Sequence, residues 1–314
     1  RTFAGIAWIT KGKLTRRERF LTEMDQVIPW KRLIALIEPH YPKPGRGRRP
    51  LGLEKMLRIY FLQQWFDLSD PGAEDAIYDS ESMRRFVGIE LGEDRVPDES
   101  SILLFRHLLE KHDLTKAIFE EIGELLTEKG LMLRQGTIVD ATIISAPSST
   151  KNREGKRDPE MRQTKKGNQW YFGMKVHVGT DTQGLTHRLV TTDAAQSDFN
   201  QLPNLIHGEE DEVYGDGAYR SESDRRSFQD VKVRYRVNRR GHRHAPLSNR
   251  ARTINREYSR VRSRVKHPFH VVKRLWGFSK VRYRGLAKNT ARAYAAFALA
   301  NLYLVRERLT PRGA

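Results

Sequence analysis

The stretch GTIVDATII, residues 136–144, decides the fold. Its β-branched and apolar residues occupy both alternating faces, which is typical of a strand buried in the centre of a sheet. Asp140 stands in the middle of this stretch. A buried carboxylate is costly unless it pairs with a cation or binds a metal ion, so Asp140 is a candidate functional residue.

A second acid follows another short apolar segment, in VYGDG at residues 213–217. Asp216 lies between two glycines, where the backbone turns sharply and presents the carboxylate at the carboxyl edge of a sheet. Two such aspartates on neighbouring strands would hold a hard divalent cation, Mg²⁺ or Mn²⁺, because these ions prefer oxygen ligands. The alternative is that each acid only accepts backbone N–H groups at a strand end or turn.

Helical patterns precede the first strand. Apolar residues recur at helical spacing over 30–37 and 53–66, a helix begins at Asp98 or Ser100, and another covers 115–129. After the strand, residues 145–169 are polar and turn-rich, which predicts a mobile loop, and 170–194 alternate as a hairpin. We expect a helical N-terminal region, 1–130, and an α/β domain, 131–314, with a mixed sheet flanked by helices.

Composition restricts the possible ligands and compartments. The chain has no cysteine, so any metal ion must be bound by oxygen or histidine. No apolar run reaches the roughly 18 to 20 residues that span a bilayer, and residues 293–305 are predicted to form a buried helix instead. We expect a cytoplasmic protein without a membrane partner.

Positive charge is concentrated in one part of the chain. The net charge is +18, and residues 231–286 alone hold 18 Lys and Arg against one acid, Glu257. Such a cluster predicts a polyanionic partner, because neutralising phosphates releases their counterions. The residues that we predict to contact nucleic acid are Arg46, Arg48, Arg49, Arg106, Arg239, Arg240, Arg262, Arg264, His270, Lys273, Arg274, Arg282 and Arg284.

Several motifs together resemble a known family. They are IVDATIISAP at 138–147, VYGDGAYRS at 213–221, the basic segment 259–292 around RVKHPFH, and VPDESSILLFRHLLE at 96–110. In these motifs the chain is similar to bacterial DDE transposases of the insertion sequence 5 group. The resemblance implies a ribonuclease H-like fold, an acidic triad that binds two magnesium ions, and recognition of the element's terminal inverted repeats and target DNA. We expect a homodimer on double-stranded DNA, associated with the bacterial nucleoid while bound.

The third acid of the family's triad has no counterpart here. Asp140 matches the first acid and Asp216 the second, whereas the family's glutamate, just before His-Pro-Phe, is replaced by Lys266. A protonated lysine does not ligate Mg²⁺, and it repels a unit positive charge at 4 Å by about 4 kcal/mol. Glu257 lies nine residues earlier, which is the opposite face of a continuous helix, so it is not expected to substitute.

Three functions remain open. The first is a DDE transposase that cuts and joins DNA through metal-activated water and a 3′ hydroxyl. The second is a catalytically impaired DNA-binding protein derived from such a transposase, because Lys266 occupies the third position. The third is a structure-specific nuclease with the same fold. Residue 266 separates the first two, and the long basic motif at 259–292 argues against the third.

Overall fold

The computed structural model describes residues 12–45, 50–153, 155–221, 223, 226, 228, 230–241 and 244–310. These residues form two compact units. One unit consists of the described parts of 1–63, 68–106 and 305–314, and the other of 64–67 and the described parts of 107–304. This division falls at residue 106, so the functional division at 130 stays a prediction. None of the helices in the described part of the chain combines the length and hydropathy needed to cross a membrane.

The first unit is built from helices, as the sequence predicts. They are α1 Arg16–Val27, α2 Trp30–Ile37, α3 Leu53–Phe66, α4 Asp70–Asp79, α5 Glu81–Val87 and α6 Glu99–Lys111. A capping box starts α1, where the Thr15 hydroxyl accepts the Glu18 amide and the Glu18 carboxylate accepts the Thr15 amide. The predicted helices at 30–37 and 53–66 are confirmed, and α6 begins between the two predicted start positions.

The second unit contains a six-stranded mixed sheet. Its strands are β1 Gly136–Ser145, β2 Arg162–Lys166, β3 Gln169–Thr180, β4 Thr186–Asp193, β5 Glu212–Gly215 and β6 Arg234–Val237. β3 lies antiparallel to β1 and also pairs with β2 and β4, whereas β5 is parallel to both β1 and β6. The strand predicted from GTIVDATII therefore has a partner strand on each side and lies in the interior of the sheet, as predicted.

Helices cover both faces of the sheet. They are α7 Leu114–Glu128, α8 Leu202–Leu205, α9 Asn249–Arg262, α10 Lys266–His270 and α11 Leu286–Leu309, of which α8 lies on the face with Val139. On the other face, Tyr258 of α9 contacts Tyr214, and Thr290 of α11 bonds to Thr191. Both strand residues share the side of the sheet on which Asp140 lies, because side chains alternate along each strand.

Helix α11 contains the buried segment that the sequence predicts at 293–305. Its one internal polar residue, Asn301, is fully buried and bonds in both directions to the backbone of Thr186. The amide accepts the Thr186 N–H at 2.8 Å and donates to its carbonyl at 2.7 Å. These bonds offset the cost of burying the amide and attach α11 to the start of β4.

The predicted mobile loop at 145–169 is wrong in its second half. Residues 162–166 form β2, which pairs with Gln169–Gly173 of β3. Before β2, Asp158 and Glu160 accept the backbone N–H groups of Gly285 and Leu286. These carboxylates cap the first turn of α11 and interact favourably with the positive end of its dipole. The polar composition that suggested a loop therefore belongs partly to a solvated strand and partly to caps.

Candidate functional site

The parallel strands β1 and β5 bring the two aspartates side by side. Their register pairs Ile138 with Tyr214. Two residues further along each chain, the same register places Asp140, in the middle of β1, next to Asp216, which directly follows β5. Adjacent strands lie roughly 4.8 Å apart, so the two residues are neighbours in space. We call Asp140 and Asp216 the acid pair.

Asp140 sits in an environment that disfavours its charge. Burial raises the pKa of its carboxyl from 3.8 to about 6, and the nearby charge of Asp216 acts in the same direction. The amide of Ala141, which donates to the carboxylate at 2.9 Å, and the positive charges of Arg262 and Lys166 lower it. The effect of desolvation on the pKa is larger than that of these contacts, so the two positive charges do not fully compensate the buried carboxylate.

Asp216 is fixed by a tight turn. Its carboxylate accepts the amide of Ala218 at 2.7 Å and caps a single 3₁₀ turn, Gly217–Tyr219. The side chain of Arg240 passes over this turn, and a Cβ on Gly217 would lie 2.6 Å from its Cγ. Glycine is therefore required at 217 for Arg240 to lie beside the acid pair.

Both acids thus have the backbone-capping role that the sequence left open, since each accepts one N–H group. Neither carboxylate forms an ion pair with any residue that the structure describes. Each one keeps free lone pairs next to the other. This is the donor set that a hard divalent cation prefers, and a bound cation would remove the cost of two adjacent negative charges.

A groove of about 560 Å³ opens beside the end of β1. Thr142, on the same face of β1 as Asp140, forms part of its wall. Among the described residues that line the groove, five are Lys or Arg and none is an acid. We call it the basic groove, and it is lined by Thr142, Ile143, Ser145, Lys166, Tyr171, Lys266, Phe269, His270, Lys273, Arg274, Ser279 and Lys280.

Lys266 lies in this groove at the first residue of α10, and its side chain is exposed. The helix before it does not continue to this position. α9 ends at Arg262, and a 3₁₀ turn, Ser263–Val265, separates it from α10. Glu257 and Lys266 therefore do not lie on one continuous helix, and helical spacing does not fix their relative orientation. Glu257 is exposed and forms no ion pair with a described residue.

Lys273, one of the predicted nucleic-acid contacts, bonds to β1. Its ammonium donates to the Thr142 hydroxyl at 3.0 Å and to the Ile143 carbonyl at 2.8 Å. Burial, together with the charges of Lys166 and Arg274, lowers the pKa of the Lys273 ammonium. Lys273 therefore holds β1 at Thr142 and Ile143, just beyond Asp140, while it also lines the basic groove.

Several other predicted nucleic-acid contacts are exposed. Arg239 and Arg240 follow β6, and the backbone of Arg239 is held by two hydrogen bonds to Asn255 of α9. Arg264 lies in the 3₁₀ turn before Lys266 and donates to the Thr182 carbonyl. The remaining exposed members of the predicted set are His270, Arg274 and Arg284, of which the first two line the basic groove.

Two of the predicted contacts form ion pairs within the protein. Arg106 is only 5% exposed, and its guanidinium pairs with Asp70 at 3.1 Å. Arg282 pairs with Asp67 at 2.5 Å. A cation that is already paired and partly buried has little electrostatic attraction left for a phosphate. Arg46, Arg48 and Arg49, which we also predicted, lie outside the described residues.

Lys166, Tyr171 and Lys280 line the basic groove but were not among the predicted nucleic-acid contacts. Lys166 and Tyr171 belong to the β2–β3 hairpin, which we had assigned in part to a loop. The alternation of basic and polar residues in RQTKK, 162–166, is the signal that would have identified a solvated strand. Lys280 reaches the groove because a single bridge joins it to Ser145.

A divalent metal fits the acid pair but not the whole predicted triad. No group of three or more acidic or histidine side chains is arranged for metal binding among the described residues. Two neighbouring carboxylates without ion pairs are suitable ligands for one such ion. Lys266 cannot complete the set while it is protonated.

Comparison with known families follows the two parts of the chain. Residues 132–302, more than half of the chain, match the family model described as a transposase DDE domain. Residues 10–108 match a second model, described as a transposase domain of the DUF772 type. The first match includes the acid pair, Lys266 and the basic groove. No solved structure matches the chain.

Proposed function

The chain belongs to the transposase DDE domain family, and on this premise we propose that it is the transposase of an insertion sequence. In this proposal it binds the terminal inverted repeats of its element and breaks and joins DNA strands. The observation that carries the proposal is the acid pair, with Asp140 in the middle of β1 and Asp216 directly after β5, next to a groove lined by cations. The resemblance to the insertion sequence 5 group is part of the same proposal.

We propose that the second unit has a ribonuclease H-like fold. Its mixed sheet supports this, because β1 has an antiparallel neighbour on one side and a parallel neighbour on the other. The first acid lies in the central strand, and the second follows the parallel strand. Helices α9, α10 and α11 are on the same side of the sheet as Asp140.

The basic groove is the proposed site of the DNA backbone. Five Lys or Arg side chains and His270, with no acid among them, line a space of about 560 Å³. At an effective dielectric of 20, a unit-charge pair separated by 4 Å attracts by about 4 kcal/mol, so the groove favours phosphate groups strongly. Thr142 connects the groove with the strand that holds Asp140. A phosphate in the groove would therefore lie close to the acid pair.

Asp140 and Asp216 are the proposed ligands of Mg²⁺, which Mn²⁺ could replace. A bound ion would supply activation of the attacking oxygen and stabilisation of the leaving one. The chain itself contributes the fixed positions of the two carboxylates, through the amides of Ala141 and Ala218. We propose that Arg262, whose charge acts on Asp140, contacts the DNA near this point.

Lys266 supports a second candidate function, a DNA-binding protein whose catalysis is impaired. Its ammonium lies in the groove at the position where the family has a glutamate. In this second reading, the lysine strengthens the attraction of the groove for phosphate and weakens the binding of a second metal ion. Both readings require DNA binding, and only the first requires cleavage.

The remaining expectations are also proposals. We propose that the protein acts in the bacterial cytoplasm, associated with the nucleoid while it is bound to double-stranded DNA. We further propose that it binds the two ends of its element as a homodimer, since cutting and joining both ends requires two acid pairs in one complex.

A salt titration tests whether the basic groove binds DNA. We expect the logarithm of the affinity to fall linearly with the logarithm of the salt concentration, by about 0.9 per neutralised phosphate. Lys166→Ala and Lys280→Ala remove exposed groove cations, so each variant should reduce the slope by about one. Lys129→Ala, an exposed lysine after α7, is the control and should leave the slope unchanged. An affinity that does not depend on salt would contradict the proposal.

A further inference from the structure

Helix α9 presents a row of arginines to solvent. Arg252, Arg256 and Arg260 are all exposed, and they recur at intervals of four residues. Four residues of an α-helix advance by about 6 Å and rotate by about 40° beyond a full turn, so the three side chains follow one side of α9 over about 12 Å. We call these three residues the arginine row.

The charges of the arginine row are not balanced within the protein. None of its guanidinium groups forms a hydrogen bond or an ion pair with a residue that the structure describes. Like charges four residues apart destabilise a helix, and Arg252 also lies in the first turn, where the helix dipole disfavours a cation. The stability of α9 therefore does not explain the row, whereas a polyanion bound to it would balance these charges.

The arginine row and the basic groove lie on opposite sides of the acid pair. The sheet has the order β2-β3-β1-β5-β6, and the acid pair lies between β1 and β5. The strand residues that line the groove belong to β1, β2 and β3. By contrast, α9 packs on Tyr214 of β5 and bonds through Asn255 and Ser259 to the segment that follows β6. The charge of Arg262, the last residue of α9, lowers the pKa of Asp140. The groove, the acid pair and α9 therefore follow one another across the sheet.

We propose that the arginine row binds the backbone of the same DNA duplex that occupies the basic groove, on the opposite side of the acid pair. The row spans about 12 Å, a length over which one strand of B-DNA has about three to four phosphates. Guanidinium groups form bidentate hydrogen bonds to phosphate oxygens, and such contacts position a duplex without reading its sequence. This inference rests on the proposed DNA-binding function and adds to it a second contact surface and a path for the duplex.

The test measures the salt dependence of binding to a mixed-sequence duplex by fluorescence anisotropy of the labelled DNA. The row variant of the full chain combines Arg252→Ala, Arg256→Ala and Arg260→Ala. Its slope of log affinity against log salt concentration should be smaller by about 2.7, which is about 0.9 for each lost phosphate contact. The charge-matched control combines Lys116→Ala, Lys129→Ala and Arg188→Ala, which removes three exposed cations from α7, its C-terminal cap and β4. The control should leave the slope almost unchanged.

A second measurement shows whether the row and the groove bind one duplex. The row variant combined with Lys166→Ala and Lys280→Ala should lose about 4.5 of the slope, because the cations of both surfaces contact the same DNA and their losses add. Losses that do not add would show that the two surfaces bind separate DNA molecules, and would overturn the inference.

The remaining outcomes separate this inference from the function on which it rests. An unchanged slope in the row variant, with a reduced slope in Lys166→Ala, would overturn the role of the row and leave the basic groove as the DNA site. If neither set of substitutions changed the slope, the proposed function itself would be wrong. Alanine favours the helical conformation, so α9 should be retained, and an unchanged midpoint of thermal unfolding shows that a smaller slope reflects lost contacts.

Discussion

Replacement of Asp140 by asparagine should stabilise the protein at neutral pH. Burial raises the pKa of Asp140 from 3.8 to about 6, which corresponds to at most about 3 kcal/mol. The asparagine side chain would keep nearly the same shape without a charge to desolvate. Because the Asp140 side chain is partly exposed, solvent screening reduces the gain, and we expect about 1 to 3 kcal/mol in the free energy of unfolding.

The sign of the pH dependence follows from the raised pKa. The folded protein binds the proton of the Asp140 carboxyl more tightly than the unfolded chain does. The protonated carboxyl therefore contributes its full stabilisation below the ordinary pKa of 3.8, and this contribution is lost as the pH rises through about 6. The gain in Asp140→Asn should therefore be complete above pH 6 and disappear near pH 4. Mg²⁺ bound at the acid pair would stabilise the wild type and not Asp140→Asn. Millimolar Mg²⁺ should therefore reduce the difference in the free energy of unfolding between the two proteins.

Urea unfolding of both proteins across this pH range, in the presence of a chelator, measures the effect. Asp211→Asn is the matched control, because this exposed aspartate precedes β5 in the same sheet. Its unfolding should differ little from that of the wild type. If Asp140→Asn were less stable than the wild type above pH 6, or if the two proteins differed equally at all pH values, desolvation of Asp140 would not be the dominant effect.

Three further substitutions test the contacts around the site. Lys273→Met removes two hydrogen bonds to Thr142 and Ile143 of β1 and should lower the free energy of unfolding by about 2 kcal/mol. Arg274→Met is the control and should change the free energy of unfolding by less than about 0.5 kcal/mol. Equal effects of the two substitutions in urea unfolding would contradict the role of Lys273. Asp67→Asn, which the positive φ of this residue tolerates, leaves the buried Arg292 without its carboxylate and should cost about 3 kcal/mol, measured by thermal unfolding. Asp158→Asn should cost about 0.5 to 1 kcal/mol through the weakened cap of α11, and a neutral result would show that this cap does not stabilise the helix.

The sequence predicts the elements whose pattern is local. Helices at 30–37 and 53–66 and the buried strand around Asp140 follow from apolar periodicity alone. The proximity of Asp140 and Asp216 was also predictable, because one acid lies within a buried apolar strand and the other directly follows a second apolar strand. Each of these predictions rests on local patterns, namely apolar spacing and the position of an acid within or directly after a strand.

The partners of charged side chains are where sequence reasoning fails. Arg106 and Arg282 were predicted as nucleic-acid contacts together with the exposed arginines, yet they pair with Asp70 and Asp67 inside the protein. Lys273 was predicted to contact nucleic acid, yet it lies in a π-turn at 271–275 and bonds to Thr142 of β1. Such pairs are set by tertiary packing, which no local pattern records.

The measurement that tests the central proposal most directly is strand cleavage by Lys266→Glu. The substrate is a duplex that carries the element's own ends, incubated with Mg²⁺ or Mn²⁺. Lys266 is exposed at the start of α10 and lines the basic groove, so a glutamate there changes the local charge by two without disturbing a buried contact. We predict that Lys266→Glu cuts the ends faster than the protein with Lys266, and that Asp216→Ala in the same chain abolishes the gain. Equal rates for the proteins with lysine and with glutamate would show that residue 266 is not the third position of the site.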